Sequence, residues 1–309
     1  MSAVPRLGFG LKTTPMRVTF DDVARVWREA DAIDEIDHAW LWDHFLPLFS
    51  PPTDPVLEGW TTLAALAAQT SRLGIGLLVT NNGARPPAVL GKMAATLDVI
   101  SGGRLTLGIG VGGTRQPTGP DDGDAANPAV AEFAAYGLPL PAPGEGIGRL
   151  DEALRLIRRM WTEDEPFDFD GRWYRTQGTV CVPRPVHPQG PPVLIGGWGD
   201  RTLRLVAEHA DIWNVPGPPH NPIDTLVERG RVLDRHCAAI GRDPASIVRS
   251  TQVIVGYDDP AATRATLAAL VDAGVTHIAL APLPPYPPDV ASWLTDELIL
   301  PTRNRVGER

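Results

Sequence analysis

Two ionisable residues stand side by side in the segment WLWDHFLP, which runs from Trp40 to Pro47. Asp43 and His44 follow a short apolar run that predicts a β-strand. A carboxylate beside an imidazole can set the tautomer of the ring or raise its pKa, and such a ring can act as a general acid or base near neutral pH. A structural histidine is the alternative for an isolated Asp-His pair. We therefore treat Asp43 and His44 as candidate catalytic residues.

A second candidate site is the segment PPVLIGGWGD, which leads an apolar run through three glycines into the helical pattern RTLRLVAEHA. Free amide groups and the positive end of the helix dipole attract anions at a helix N-terminus, and residues without Cβ let a ligand approach the backbone. The pattern predicts an anion-binding turn. The alternative is a glycine-rich turn in which Asp200 caps the helix.

The segment GIGVGG, Gly108 to Gly113, matches the GxGxxG pattern of dinucleotide-binding folds and follows a predicted strand. That pattern must open a helix in the first βα unit, whereas here it runs into TRQPTGPDDGD in the fourth unit. A dinucleotide-binding fold is therefore disfavoured. We expect instead that these glycines bring the backbone close to a flat ligand, in preference to packing alone.

Other sites of chemistry lack their sequence signals. The chain has no HxH, HExxH or CxxC motif and no Cys/His cluster, so no metal site is expected. Cys181 and Cys237 lie far apart, which argues against a disulfide framework. The GxSxG motif of α/β-hydrolases is also missing.

The candidate residues sit within a repeating pattern. Short apolar runs that end in Gly, Asn or Asp alternate with amphipathic segments of helical period, as in βα units. The predicted strands are Leu7 to Gly10, His38 to Leu41, Leu73 to Val79, Arg104 to Gly110, Pro192 to Gly196, Asp211 to Asn214, Val248 to Val255 and His277 to Ala281. The predicted helices are Asp21 to Ile33, Thr61 to Thr70, Ala88 to Ile100, Gly148 to Trp161, Arg201 to His209, Ile223 to Ile240, Ala261 to Ala273 and Val290 to Leu300.

Eight parallel strands with crossover helices close most economically into an α/β fold of the (β/α)₈ TIM-barrel type. No further set of strands is evident, so we predict a single domain over residues 1–309, with mid-barrel insertions at about 113–146 and 162–190. Ligands of such barrels bind at the carboxyl ends of the strands, where long loops act as lids or specificity elements. The barrel would therefore place Asp43 and His44 on its catalytic face.

Composition limits the partners. With 43% hydrophobic residues the chain can bury a full core, and its net charge of −9, with Lys12 and Lys92 as its only lysines, leaves no basic run for nucleic acid. No apolar stretch approaches the roughly 18 residues of a membrane span, and the amino terminus lacks the features of a signal peptide. We expect a cytoplasmic protein that acts on a small-molecule substrate.

Three segments together resemble the bacterial luciferase-like flavin-dependent oxidoreductases, most closely their coenzyme F420-dependent branch. They are VTNNGARPPAVLGKMAATLDVISGGRLTLGIGVGG, AYGLPLPAPGEGIGRLDEALRLIRRMWTEDEPFDFDGRWYR and PPVLIGGWGDRTLRLVAEHADIWNV. The resemblance covers nearly the whole chain and implies a (β/α)₈ barrel with a long insertion in its middle. It also implies that Gly196, Gly197, Trp198 and Gly199 hold the phosphate of the flavin or deazaflavin.

The resemblance implies contacts to the cofactor ring as well. A strand would bulge at a non-prolyl cis peptide bond near Leu78 and Val79, against the ring. The other implied cofactor-binding residues are Thr80, Asn82, Gly110, Gly112, Trp213 and Asn214. Asp43 and His44 match an Asp-His pair in which the histidine faces the reactive edge of the ring.

One segment departs from the resemblance. Close relatives follow LGxG with an aromatic residue and several glutamates, whereas this chain has a longer, rebuilt loop that keeps only Glu132. A relative's substrate therefore does not transfer. Three hypotheses stay open: hydride transfer between C5 of F420 and a small organic substrate, monooxygenation by reduced FMN from a separate flavin reductase, and a flavin-binding barrel without turnover. Members of the family are often dimers, so we expect a homodimer.

Overall fold

The computed structural model describes residues 6–48, 50–113 and 128–307, and in these ranges parallel strands close into a barrel surrounded by helices. The strands are β1 (Gly8–Lys12), β2 (His38–Leu41), β3 (Gly74–Leu77), β4 (Thr80–Asn81), β5 (Leu105–Gly110), β6 (Phe167–Asp170), β7 (Arg175–Thr179), β8 (Val193–Gly196), β9 (Ile212–Val215), β10 (Val248–Val255) and β11 (His277–Pro282). The helices are α1 (Phe20–Asp31), α2 (Gly59–Ala67), α3 (Pro87–Ser101), α4 (Pro128–Ala135), α5 (Pro143–Thr162), α6 (Asp200–His209), α7 (Ile223–Ala239), α8 (Pro260–Asp272), α9 (Val290–Leu294) and α10 (Leu300–Gly307).

The barrel closes through the pairing of β3 with β5. Around the barrel the order is β3, β2, β1, β11, β10, β9, β8 and β5, and every one of these pairings is parallel. The predicted (β/α)₈ barrel is therefore confirmed. The predicted third strand is interrupted, because β3 ends at Leu77 and β4 continues its direction from Thr80, where it pairs with β5.

The two insertions contain elements that the sequence analysis missed. Residues 162–190 include the antiparallel hairpin of β6 and β7, two strands that were not among the eight predicted ones. Phe167 and Phe169 of β6 are buried while the aspartates between and after them are exposed, and a four-residue alternation is too short to stand out as a strand. Residues 113–146 include α4, whereas residues 114–127 lie outside the described part of the chain.

The helices follow ordinary start signals. Thr19 caps α1 and forms a capping box with Asp22, and Glu58 caps α2 by accepting hydrogen bonds from the amides of Trp60 and Thr61. The last predicted helix, Val290 to Leu300, is observed as α9 followed by a π-helical turn, Thr295–Ile299. It then extends beyond Leu300 as α10. Within the described residues, no helix combines the length and the apolar character that a bilayer span requires.

Large side chains fill the barrel because glycines face them. A Cβ at Gly74 would lie 2.4 Å from the His38 ring, and one at Gly76 would lie 2.6 Å from both the Trp40 ring and the Thr106 carbonyl oxygen. At Gly108 a Cβ would lie only 1.9 Å from the carbonyl oxygen of Leu77, directly beside the closing pair of strands. Barrel closure therefore depends on a backbone-to-backbone approach that any side chain would prevent.

We expect Gly108→Ala to destabilise the fold by about 3 kcal/mol or more, since overpacking typically costs 1–3 kcal/mol and the atom in the way here belongs to the backbone. Urea unfolding of the variant and of the parent chain measures the difference. Gly256→Ala is the matched control, because a Cβ there would meet nothing within 4 Å. Equal stability of the two variants would contradict the steric explanation.

Candidate active site

His44 lies just beyond the carboxyl end of β2, on the face of the barrel where ligands of this fold bind. Its Nδ1 is 3.1 Å from Oε2 of Glu132, which projects from α4. The other oxygen of Glu132 accepts hydrogen bonds from the backbone amides of Phe45 (2.6 Å) and Leu46 (3.2 Å). The insertion thus places a carboxylate directly on the imidazole.

The Glu132 side chain is only 4% exposed, yet it is held in the ionised form. Burial raises the pKa of Glu132, but the hydrogen bond and charge of His44 and the two backbone amides outweigh burial and lower the pKa below its usual value. Because an ionised carboxylate can only accept hydrogen bonds, Nδ1 of His44 carries the proton between them. The imidazole is therefore fixed in orientation, with Nε2 left for chemistry.

Asp43 pairs with Arg85, although its position next to His44 in the sequence suggests a contact with the imidazole. Its carboxylate is held by the Arg85 guanidinium, with Nη1 2.7 Å from Oδ2 and Nη2 3.0 Å from Oδ1, and it accepts a bond from the Asn81 amide. Arg85 also binds Glu58, the cap of α2. Burial raises the pKa of Asp43, although Arg85 opposes the shift. The carboxylate that contacts the imidazole is Glu132, and a catalytic role for Asp43 stays a prediction.

Arg85 was not among the predicted site residues, although it lies within the first of the three segments that carry the family resemblance. The Arg85 side chain is only 12% exposed. Its guanidinium makes a bidentate ion pair with Asp43, just after β2, and a single ion pair with Glu58, just before α2. This arrangement stiffens the segment that carries His44. A lone arginine four residues after a strand gives no signal of its own, because arginine is common in solvated loops.

The peptide bond between Leu78 and Val79 is cis, at the position that the resemblance implied. Leu78 belongs to a buried cluster in the barrel interior that includes Trp40, and Val79 packs against this cluster. The next residues present polar atoms without partners: Oγ1 of Thr80 and Oδ1 of Asn82 are buried and have no hydrogen bond within the described part of the chain. Buried polar atoms of this kind normally find a partner, so a ligand with hydrogen-bonding edges fits here.

The glycines assigned to the cofactor have a second explanation in packing. A Cβ at Gly110 would lie 2.9 Å from Val79, and one at Gly196 would lie 3.0 Å from it. Gly112 has a φ of 79°, and a Cβ there would lie 1.9 Å from Oδ1 of Asn81. Contacts within the protein alone therefore disfavour a side chain at these positions, most strongly at Gly112. Their contact with a ligand stays a prediction.

The turn after β8 leaves the start of α6 open. Gly199 is the N-cap of α6, and no side chain caps the helix. Asp200, the alternative cap, instead lies 3.2 Å from the His236 ring and is 70% exposed. The first amide groups of a helix have no acceptor within the helix, so this turn can bind an anion through its backbone.

Two tryptophans hold this turn. Trp213 of β9 donates from Nε1 to the Gly197 carbonyl oxygen at 2.7 Å and is 2% exposed, so its observed role is structural. Trp198 stacks on His220 with ring centroids 4.9 Å apart. Gly197 has a φ of 136°, which favours glycine and turns the chain toward Gly199. The backbone of the predicted phosphate site is thus fixed from both sides.

A network of hydrogen-bonded polar side chains lines the inner face of the barrel and connects residues of β1, β9, β10 and β11. Lys12 donates to Oε1 of Gln252, whose Nε2 donates to Oδ1 of Asn214 at 3.0 Å. Nδ2 of Asn214 donates to the Ser250 hydroxyl at 2.8 Å, and that hydroxyl lies 2.9 Å from Nδ1 of His277. Burial lowers the pKa of Lys12 to about 8 and that of His277 to about 3. Except for Asn214, the sequence analysis missed this network.

These observations fit a flat cofactor with a phosphate. The turn Gly196 to Gly199 would hold the phosphate, while Thr80 and Asn82 would meet the ring with atoms that otherwise lack partners. Outside the barrel mouth, Asp151, Glu208 and His209 bring possible metal ligands within 4.8 Å of one another on the surfaces of α5 and α6. That group is partly exposed, and the absence of a metal site stays a prediction.

Comparison with known proteins identifies the class. The family model for luciferase-like monooxygenases matches residues 4–292, so this chain belongs to the luciferase-like family of oxidoreductases. The chain is 27% identical over 268 residues to a phthiodiolone/phenolphthiodiolone dimycocerosates ketoreductase of Mycobacterium sp. strain JLS, with 81% of this chain and 65% of the relative covered. The ketoreductase of the same name from Mycobacterium kansasii is 33% identical over 214 residues, which is 67% of this chain and 52% of the relative.

The chain spans between about half and two thirds of the length of these curated relatives. Solved structures agree on the fold. An F420-dependent secondary alcohol dehydrogenase bound to an F420-acetone adduct has a TM-score of 0.80 at 16% identity, covering 96% of this chain and 99% of that one. A monooxygenase from Streptomyces bottropensis has a TM-score of 0.70 at 20% identity, covering 95% and 99%.

We expect Glu132→Gln to destabilise the protein above pH 4.5 by about 1–2 kcal/mol, since a charged hydrogen-bond acceptor becomes neutral. The folded pKa of Glu132 is below the unfolded value of 4.5, so its ionisation stabilises the fold above pH 4.5. That contribution is lost as the pH falls through the folded pKa. Thermal unfolding of both forms at pH 7 and pH 3.5 measures the difference, with Glu165→Gln at an exposed glutamate as the control. A difference independent of pH would contradict this assignment.

Proposed function

We propose that this protein is an F420-dependent oxidoreductase that moves a hydride between C5 of the deazaflavin and a small organic substrate. The observation that carries the proposal is the His44 imidazole, held by Glu132 at the carboxyl end of the barrel in the mouth that also contains the bulge at Leu78 and Val79. A hydride transfer to or from a carbonyl carbon needs a proton at the oxygen, and a positioned imidazole supplies that function. The cofactor supplies the hydride chemistry itself.

The protein's part is to bind, orient and exchange a proton. The open start of α6 would bind the phosphate, and Thr80 and Asn82 would orient the ring by their unpartnered oxygens. Because Glu132 accepts from Nδ1 of His44, Nε2 would accept a proton from an alcohol or, when protonated, donate one to a carbonyl oxygen. The names of the mycobacterial ketoreductases support a carbonyl or alcohol substrate.

The second candidate is monooxygenation with reduced FMN delivered by a separate flavin reductase. It is supported by the family model's description and by the fold shared with a Streptomyces monooxygenase. Both cofactors carry a flat tricycle and a phosphate, so both fit the open α6 turn and the partnerless oxygens of Thr80 and Asn82. A flavin-binding barrel without turnover is the third candidate, and the His44 and Glu132 pair argues against it.

We also propose a cytoplasmic homodimer. An apolar groove of about 790 Å³ lies on the outside of the barrel and is lined by residues of α2, α3, α5 and the end of β7. Val89 and Ile100 on its rim are each 51% exposed, and a second copy of the chain would cover them. Size-exclusion chromatography with light scattering, on the parent chain and on Val89→Asp, tests the dimer, which the variant should dissociate.

The experiment that tests the proposed function is titration of the protein with F420 and with FMN, each oxidised and reduced, followed by quenching of the fluorescence of its nine tryptophans. Saturable binding of F420 in preference to FMN supports the proposal. Binding of reduced FMN alone replaces it with the oxygen-dependent alternative. Tight F420 binding with no oxidation or reduction of any alcohol or ketone in a broad panel would favour the barrel without turnover.

We expect His44→Ala to leave the Kd for F420 within about threefold of the parent value and to lower the hydride-transfer rate by about 10²–10⁴, the usual contribution of a general acid or base. Stopped-flow absorbance of the cofactor measures the rate, and tryptophan quenching measures the Kd. His187→Ala, in an exposed loop, is the matched control and should change neither. Equal losses of affinity and rate would make His44 a binding residue.

A further inference from the structure

Lys12 is the last residue of β1, and its side chain points into the barrel mouth. Its amine contacts Gln252 of β10, and β11 separates those two strands. The lysine chain must therefore cross the inner face of β11, whose inward residues at this level are Ala279 and Ala281. Two small side chains leave the space for the crossing. Lys12 thus lies at the mouth rather than at the outer surface.

The charge of Lys12 has no counter-charge within the described residues. The ion pairs of those residues include none to Lys12, and its observed partner is the neutral amide of Gln252. The two acids nearest the candidate chemistry are already engaged, Asp43 with Arg85 and Glu132 with His44. An ammonium group carries three donors, so two N–H groups stay available to a ligand. A partly buried charge without a partner is costly unless something binds it.

The network behind Lys12 fixes the direction of the remaining donors. Because lysine can only donate, Oε1 of Gln252 must face it, which turns Nε2 of Gln252 toward Asn214. Asn214 in turn has both ends of its amide occupied, by Gln252 and by Ser250. The amide groups beneath Lys12 are therefore satisfied by one another. The ammonium's free N–H groups are the part of this network that stays open.

The position of Lys12 separates it from the predicted phosphate turn. In the barrel order β1 lies four strands from β8 in either direction, so Lys12 stands across the mouth from the turn at Gly196 to Gly199. Ile254 follows Gln252 on the same face of β10 and is 51% exposed, which gives this side of the mouth an apolar wall. A ligand with an anionic group at one end and an apolar body fits both features.

We infer that Lys12 is the anion-binding end of the substrate site, and that the enzyme acts on small organic carboxylates whose apolar part lies against Ile254. The inference rests on the proposed function, because it gives that function its substrate class. The carboxylate would pair with the Lys12 ammonium through charge-assisted hydrogen bonds. His44, which follows β2 beside β1, would then face the reacting carbon and oxygen of the same molecule.

The test uses the fact that the chain contains two lysines, Lys12 and Lys92. Protein labelled with ¹³C at lysine Cε gives two side-chain resonances, which Lys92→Met assigns. Lys92 on α3 faces the outer groove and bonds to the Val182 carbonyl oxygen, so it is the matched control. The labelled protein is titrated with sodium benzoate and with its neutral counterpart benzamide, at constant ionic strength, with and without saturating F420.

We expect benzoate to shift the Lys12 resonance saturably and to leave the Lys92 resonance unchanged. Benzoate should bind about tenfold or more tightly than benzamide, because a hydrogen bond to a charged group contributes more free energy than one between neutral groups. Calorimetry should show benzoate binding lost in Lys12→Met and kept in Lys92→Met. The resonance of the parent protein gives the answer even if Lys12→Met does not fold. Shifts of both lysines alike, or of neither, would overturn the inference.

A separate measurement distinguishes this inference from the proposed function. Tryptophan quenching gives the Kd for F420 in the parent chain, Lys12→Met and Lys92→Met. If the parent binds no F420 while benzoate still shifts Lys12, the proposed function fails and the anion site stands. If Lys12→Met weakens F420 binding at least about tenfold and benzoate competes with F420, Lys12 binds the cofactor and the substrate assignment is overturned.

Discussion

Closure of the barrel rests on one steric constraint, the approach of the Leu77 carbonyl oxygen to the α-carbon of Gly108. β3 and β5 can pair only because no side chain lies between them. The same junction turns β3 aside at Leu78 and Val79, so that β4 resumes the pairing with β5. The shape of this part of the candidate site thus follows from how the barrel closes.

Much of the fold could be predicted from the sequence, since the alternation of apolar runs and helical patterns depends on local chemistry. The predicted bounds of β2 and β10 coincide with the observed ones. The hairpin of β6 and β7 could not be predicted in this way, because its burial depends on packing against α5, where Glu152 accepts bonds from the amides of Arg172, Trp173 and Tyr174. Contacts with residues distant in sequence do not produce a recognisable pattern of apolar residues in so short a segment.

The residues of the candidate site that directly follow a strand could be predicted from the sequence. Their hydrogen-bond partners from distant parts of the chain could not. His44 and the α6 turn could be found because a barrel brings all strand ends to one face. The partner of the imidazole could not, since Asp43 adjoins His44 in sequence while Glu132 is 88 positions away. Likewise Lys12 and Gln252 are 240 positions apart, and their contact exists only because the strands form a closed ring.

The bond between Glu132 and His44 makes the insertion and the barrel interdependent in design and in evolution. Loops at a barrel mouth are often treated as interchangeable modules, exchanged to alter specificity while the scaffold is kept. Here a transplanted loop would also have to deliver a carboxylate to Nδ1 of His44 and to the amides of Phe45 and Leu46. Chimeras between relatives should therefore be cut on the far side of α4, so that the helix stays with the barrel that it serves.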